Sequence, residues 1–472
     1  MKIRSMATGI VAALTLGGAT IGASQVAMAS PEDGVAAWKA FIAEHGEGNG
    51  RSKFVDALGS AEALAVAKRW SALRGYDAPG MLAGASLPPE LKPGTVINAG
   101  NVDAEWLKPY ILPSLAERFK DSAWFGWKQA VIVPTASYYM PKGTLEQSEA
   151  AKGTAFNATP DGNLLTPDGQ FALATQGAMP FLNPKNGLEA TWSFVAHGIA
   201  NDNLNFHPIT MDVCNSSGSL ERQYKAELWW QKMHGRKDVE PFGDINGMDG
   251  VVEGGAVYFT DPRDVRGLSG VRKRYADASK EDDFKVFVPT LKRTRILSAT
   301  DGQDPLAAGL ELIWDDWRAY WVKTDPSKFD YELVGESWTL GFPHTGHFYQ
   351  AAQRDGSCAV DTVELELRPV WILEIKDKTG KYIYSKRRIY LDKEFYYPVA
   401  NEFYDARGNL MRVWYDSRDW VPNTGQAQWR QVALWNVISN RITWLEMESR
   451  WENLDTNPTP SLFDIDQLRD YK

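Results

Sequence analysis

Few residues in this chain have the type and spacing that chemistry needs. Six His and two Cys occur among 472 residues. His344 and His347, in Phe342-Pro343-His344-Thr345-Gly346-His347, could hold zinc on a loop with a distant carboxylate. Ordinary hydrogen-bonding His is the competing reading. Asp282-Asp283 and Asp315-Asp316 could serve a glycosidase, which needs two carboxyl groups flanking one bond. Neighbours on a strand point to opposite faces, so each pair would need partners from elsewhere. Acidic surface turns are therefore the expectation for both pairs. Asp244 to Gly250 carries calcium-type ligands, but the glycine position and closing Glu of an EF-hand are missing, which predicts a polar turn. Gly-x-Ser-x-Gly, Gly-x-x-x-x-Gly-Lys, His-Glu-x-x-His and Cys-x-x-Cys are all absent. These patterns predict no catalytic centre, no metal and no cofactor.

The cations and aromatics point elsewhere. Arg293 and Arg295 lie two apart and share one face of a strand, with Arg266 upstream. A guanidinium keeps its proton at working pH, so these three suit headgroup contacts or fold support rather than acid–base catalysis. Nineteen Trp is well above ordinary usage. Trp314, Trp317, Tyr320 and Trp321 fall together; so do Trp124, Phe125 and Trp127, then Trp229 with Trp230, and Trp435 with Trp444. They either fill an ordinary β core or line a groove for an apolar, flat or sugar-like ligand.

The elements that must position these residues are readable in outline. Residues 33–73 have helical content, broken at Gly46 to Gly50. A Pro- and Gly-rich connector covers 78–94, and 103–121 predicts short helices interrupted at Pro109 and Pro113. From Trp124 onward, period-two alternation and turn chemistry take over, with turns at Pro160-Asp161-Gly162 and Pro167-Asp168-Gly169. The spacing predicts strands over 370–376, 382–391, 395–403, 410–415, 432–438 and 442–447, an antiparallel meander in a curved sheet or barrel. In the second of these, Tyr382, Tyr384, Lys386, Arg388 and Tyr390 would share one face, and Ile383, Ser385, Arg387 and Ile389 the other.

The ends and totals bound the compartment. Lys2 and Arg4, the apolar run Ala7 to Ile21, and Ala27-Met28-Ala29 have the three parts of a cleavable signal peptide over residues 1–29. Loss of Lys2 and Arg4 takes the formal charge from −9 to −11, which argues against nucleic acid as a partner. Export favours a disulfide between Cys214 and Cys358 over two buried free thiols.

Five segments carry a resemblance. They are Met179-Pro180-Phe181-Leu182-Asn183-Pro184 running to Trp192; Asp261-Pro262-Arg263-Asp264-Val265-Arg266-Gly267; Asp283 to Arg295; Trp314-Asp315-Asp316; and Tyr384 to Asp392 leading to Tyr404-Asp405-Ala406-Arg407-Gly408-Asn409. In that order, over residues 95 to 450, the chain resembles an exported Gram-negative family of unknown function that is outer-membrane lipoprotein-sorting-like and grouped with the LolA/LolB carriers. The resemblance implies a mainly β (α+β) protein with 124–472 as a curved β-sheet domain; residues 30–123, read from their own pattern as a helical N-terminal segment and connector, have no counterpart in those carriers. It implies an incomplete antiparallel β-barrel closed by helices around an apolar cavity. The implied function is a periplasmic carrier or receptor of a lipid or other apolar small molecule, soluble and not an enzyme. Its partners would include an outer-membrane β-barrel or a lipid-exporting transporter. An assembly partner of such a barrel, and a secreted lipid- or glycan-acting hydrolase, are the alternatives. Trp192, Phe194, Trp314 and Trp317, in or beside these segments, become the expected cavity wall on aromatic-rich strands, with Arg266, Arg293 and Arg295 as ligand contacts. Enclosing a fourteen-carbon chain would stabilise it by on the order of 10 kcal/mol at about 0.8 kcal/mol per methylene.

Overall fold

A computed structural model of the chain describes residues 30–48, 50–120, 127–198, 202–298, 301–343, 358, 360, 362–421, 426–447 and 460–469. The signal-peptide segment, Trp124, Phe125, His344 and His347 lie outside the described residues.

Alternating apolar residues and short polar turns produce one open sheet of fifteen strands. Its first half is a meander of β5 (Asn203–Cys214), β6 (Leu220–Lys232), β7 (Val251–Asp261), β8 (Ser269–Tyr275), β9 (Asp283–Val288) and β10 (Arg293–Ile296). The second half runs through β11 (Phe329–Gly341), β12 (Thr362–Asp377), β13 (Lys386–Asp392), β14 (Pro398–Tyr404), β15 (Leu410–Val421), β16 (Gln426–Asn436) and β17 (Arg441–Met447). The halves join where β17 pairs antiparallel with β5, Leu445 opposite Met211. β1 (Val96–Asn98) and β2 (Gln129–Val133) extend the far edge, β2 parallel to β12. A separate two-stranded ribbon, β3 (Asn157–Ala158) with β4 (Leu164–Leu165), is set by the Pro-Asp-Gly turns.

The sheet does not close: β1 ends one edge and β10 the other, so the expected incomplete barrel is here a large open sheet. The predicted meander strands are present with shifted ends. β12 and β15 run longer than their periodicity suggested, and β13 starts at Lys386 rather than Tyr382. That late start corrects the predicted faces. Tyr382 and Tyr384 precede the strand and turn toward Arg387, away from Lys386 and Arg388, which instead bond Glu374.

Both faces of the second half are buried, and alternation sorts its residues between them. Trp414, Val432 and Leu434 join one apolar cluster, which we call the front. Val413, Tyr415, Ala433 and Trp435 join the other, the back. The back is covered by residues from Leu107 to Phe119, which include most of the helix Pro113–Lys120. Cys214 and Cys358 also lie there and are bonded, with Cα atoms 6.3 Å apart. The front carries the N-terminal helices Pro31–His45, Arg51–Leu58 and Ala61–Arg74, whose Trp38, Phe41 and Trp70 share its cluster with Trp371 and Phe395.

Polar anchoring accompanies this packing. Arg368 on β12, fully buried, reaches Glu366 at 2.8 Å, Asp392 at 2.7 Å and Glu394 at 2.8 Å. Arg74, at the end of the third helix, also bonds Glu394. Removing one partner of such a cluster leaves a buried charge uncompensated, at about 3–5 kcal/mol. Among the described residues, no helix is long and apolar enough to cross a membrane.

Candidate functional site

The segment Trp314–Trp321 lies across the front face and is buried throughout. Trp314–Ala319 forms tight 3-10 turns broken at Trp317 and Arg318. Arg318 and Ala319 have φ of 54° and 64°, a left-handed conformation that costs non-glycine residues free energy unless the surroundings hold it. They are held. Arg318 donates to Glu253 at 2.6 Å, and Asn401 Nδ2 donates to the Ala319 carbonyl at 2.7 Å. The Trp321 indole N–H donates to the other oxygen of Glu253 at 2.7 Å.

The two acidic residues complete the attachment. Asp315 accepts from Arg272 at 3.1 Å and from the Tyr382 hydroxyl at 2.9 Å. Asp316 pairs with Arg387 at 3.1 Å and accepts from the Tyr384 hydroxyl at 2.8 Å, whose oxygen in turn accepts from Arg412 at 2.7 Å. Thus β7 and β8 of one half and β13 to β15 of the other are tied through a single segment. The expectation of acidic surface turns is corrected for Asp315 and Asp316, both buried, and for Asp282, a half-buried residue whose side chain is turned inward. Their charges are tolerated inside because arginines from distant strands meet them, which local periodicity does not report. Burial pushes the Asp316 carboxyl up, with Arg387 and Arg412 opposing. Burial also acts on Glu253, but Arg318 and Arg274 outweigh it and hold that carboxylate low.

Two glycines let the indoles lie close to the sheet. A Cβ at Gly270 would sit 2.5 Å from the Trp314 ring, and one at Gly255 would sit 2.6 Å from Trp321. The space left between Trp314, Trp317, Trp230 and Phe284 is only ≈ 10 Å³, no more than a single water needs. Trp317 makes an edge contact with Trp230, centroids 5.9 Å apart. At this point the aromatic cluster is solid packing.

The other two expected wall residues sit on a helix, not on a strand. Gly187–Gly198 starts where the Asn186 side chain accepts from the Glu189 amide at 2.9 Å and the Glu189 carboxylate accepts from the Lys185 amide at 2.8 Å, a capping arrangement that marks the helix start. Phe194 is buried against Tyr397 and Tyr320, centroids 5.5 and 6.0 Å away. Trp192, half-buried, faces a cavity of ≈ 50 Å³ between this helix, the β3–β4 ribbon region and the ends of β7 and β8. Phe156, Leu164, Leu173, Val195 and Val252 share its wall, and no charged residue is among its lining. Trp192 and Gln176, two residues of this lining, each carry a fully buried polar atom without a hydrogen-bond partner, Nε1 and Oε1, as Trp230 does at Nε1 in the packed region.

The predicted cations stand apart from both places. Arg293 and Arg295 are exposed on β10, the edge strand. Arg266, in the β7–β8 turn, is exposed and bonds the Thr260 carbonyl at 2.8 Å and Asp261 at 3.2 Å. Sequence reasoning missed Glu253, Arg272, Arg274 and Arg387. The available signal was Arg272 and Arg274 two apart on β8, Arg272 opposite Gly255 and Arg274 opposite Glu253 of β7.

Comparison with known proteins follows this geometry. Over 166 residues, a third of this chain, the sequence is 28% identical to an uncharacterized protein of Pseudomonas aeruginosa, and the match spans 34% of that relative's length. A crystal structure named for an outer membrane lipoprotein-sorting protein domain, from Vibrio parahaemolyticus, is 18% identical. It covers 60% of this chain and 98% of its own, with a TM-score of 0.43. A DUF1329 family protein from Desulfovibrio piger is 16% identical, covering 60% and 97%, with the same TM-score of 0.43. A LolA superfamily protein from Nitrosomonas europaea is 12% identical, covering 53% and 86%, with a TM-score of 0.34. A family model described as "Protein of unknown function (DUF1329)" matches residues 96–469, nearly the whole span of the sheet, and the chain belongs to that family.

Proposed function

We propose that the protein is a periplasmic carrier or receptor for an apolar ligand, acting on the way to or at the outer membrane. The observation that supports this reading is the Trp192 cavity, an apolar wall without charge beneath a helix on the front of the sheet. Apolar contact is non-directional, so a binding protein of this kind requires no catalytic group. The resemblance to carriers read from the sequence points the same way. Asp315 and Asp316 are committed to arginine and tyrosine partners, which disfavours the hydrolase reading for that pair.

One observation favours a second reading. The front face that a capacious carrier would leave open is filled by Trp314–Trp321, leaving ≈ 10 Å³ there. A ligand site of ordinary size encloses roughly 300–1,000 Å³. An assembly partner of an outer-membrane barrel or transporter needs a surface and no such volume. Native mass spectrometry of protein purified from the periplasm separates the two. The carrier reading expects a co-purifying apolar molecule. An empty protein in a stoichiometric complex with a membrane partner overturns it.

A further inference from the structure

We infer that β10, at the free edge of the sheet, is a docking strand for an extended acidic segment of another protein. That segment alternates carboxylate and apolar side chains and adds to the sheet as its next strand. The inference goes beyond the carrier reading and does not depend on whether the Trp192 cavity holds a ligand.

The two edges of the sheet differ. At β1 the chain's own loop closes the edge: the Asn101 side chain accepts from the Asn98 amide at 2.9 Å and donates to the Val96 carbonyl at 2.8 Å. Among the described residues β10 has no such cover, and Arg293 to Ile296 are all exposed. Its register shows which backbone groups are open. The Leu297 amide donates to the Phe284 carbonyl at 2.8 Å, and the same register sets Arg295 opposite Val286 and Arg293 opposite Val288. Bonded pairs alternate with unbonded ones in an antiparallel ladder, so the N–H and C=O of Thr294 and Ile296 point out of the sheet. A strand laid beside them meets donors and acceptors at strand spacing.

The side chains specify the chemistry of that strand. Arg293 and Arg295 share one face, Thr294 and Ile296 the other. Among the described residues, neither arginine has an ion-pair partner, nor has Lys292 in the turn before them. Ile296 is 78% exposed, the most of any large apolar residue described. Carboxylates opposite the arginines and an apolar side chain opposite Ile296 match both faces.

Other occupants fit less well. A second copy pairing through Thr294 and Ile296 would set Arg295 against its own Arg293 or Arg295, and like charges directly opposite are destabilising. An anionic bilayer could take the cations, but lipid phosphates and esters only accept, which leaves the outward carbonyls of Thr294 and Ile296 unanswered.

The test uses the full mature chain and short fluorescent peptides at pH 7.5, one alternating Glu with Val and one alternating Lys with Val, with binding followed by anisotropy. The Glu–Val peptide should bind saturably and at least about fivefold tighter than the Lys–Val peptide. Arg293→Glu combined with Arg295→Glu should reverse that order, a result that mere loss of fold would not give. Thr294→Pro removes an N–H that the ladder with β9 does not use, so thermal unfolding should stay unchanged while Glu–Val affinity falls at least about fivefold. No saturable binding of the Glu–Val peptide overturns the inference and leaves the cations as a guard against self-association. Binding that Thr294→Pro leaves intact also overturns it. So does a preference for phosphatidylglycerol vesicles over the peptide that the double charge reversal abolishes, which would assign the edge to a lipid surface.

Discussion

Around Trp314 and Trp317 the front of the sheet is crowded with indoles and arginines, and every carboxylate of the segment has an arginine or tyrosine partner within 3.1 Å. Around Trp192 the wall holds one indole and no charged residue. The first region has ≈ 10 Å³ of free space and the second ≈ 50 Å³. Aromatic density and binding capacity are therefore different properties. A dense cluster whose carboxylates are all paired and which leaves almost no free space is a brace, since no ligand can enter it. The Trp192 region instead keeps an apolar space that holds a few water-sized groups.

The sharpest break of this comparison is Trp317→Ala. If the segment is a brace, the variant should lose about 3–5 kcal/mol in urea denaturation, and affinity of the folded fraction for 1-octanol, an apolar probe of the Trp192 cavity, should stay unchanged. A small stability loss with lost binding would reverse the roles of the two regions.

pH separates the ionic framework from the neutral cavity. Burial, then Glu394, pushes Asp77 up to about 6 from the ordinary 3.8, and burial, then Asp202, pushes Asp238 up to about 6. The folded chain therefore binds these protons more tightly than the unfolded one. Their stabilising contribution is complete below about pH 4 and is lost as pH rises through 6. Stability should rise as pH falls from 7.5 to 5.5. Asp77→Asn should be more stable than the native chain at pH 7.5, by on the order of 2 kcal/mol, with a flatter pH slope. Affinity for 1-octanol should not change over that interval. An alcohol affinity that tracks the stability curve would mean that the two regions are coupled.

Gly270→Ala tests how tightly the brace is fitted. A methyl group 2.5 Å from the Trp314 ring has to displace it, and in packed surroundings that costs about 1–3 kcal/mol. A neutral substitution would show slack that the ≈ 10 Å³ remnant does not provide. The smallest stability effect belongs to Trp192→Phe, under about 1 kcal/mol, because the residue is half-buried and its N–H has no partner to lose. Thermal or chemical denaturation of that variant, beside a 1-octanol binding measurement, shows whether Trp192 serves ligand or fold.

Much of this was legible beforehand, and for a local reason. Alternation between Val370 and Met447 marked six strands and their turns, because period-two burial is written into neighbouring residues. The helical texture of 33–73 and its break at Gly46 were equally local, and they correspond to Pro31–His45, Arg51–Leu58 and Ala61–Arg74. The two-Cys total allowed only one intramolecular bridge, and Cys214 and Cys358 are bonded. Tertiary structure decided the rest. The pairing of β17 with β5 joins Leu445 to Met211, far apart in the chain, and no periodicity names a partner. Asp315 and Asp316 read as surface residues because an acidic pair is stable inside only when distant cations meet it. Arg272 and Arg387 come from opposite halves of the sheet. Trp192 and Trp317 are the same residue type in similar family-like segments. One stands at a cavity and the other in solid packing because three-dimensional neighbours, here Gly255, Gly270 and Trp230 against Leu173, Gln176 and Val252, set how much space remains.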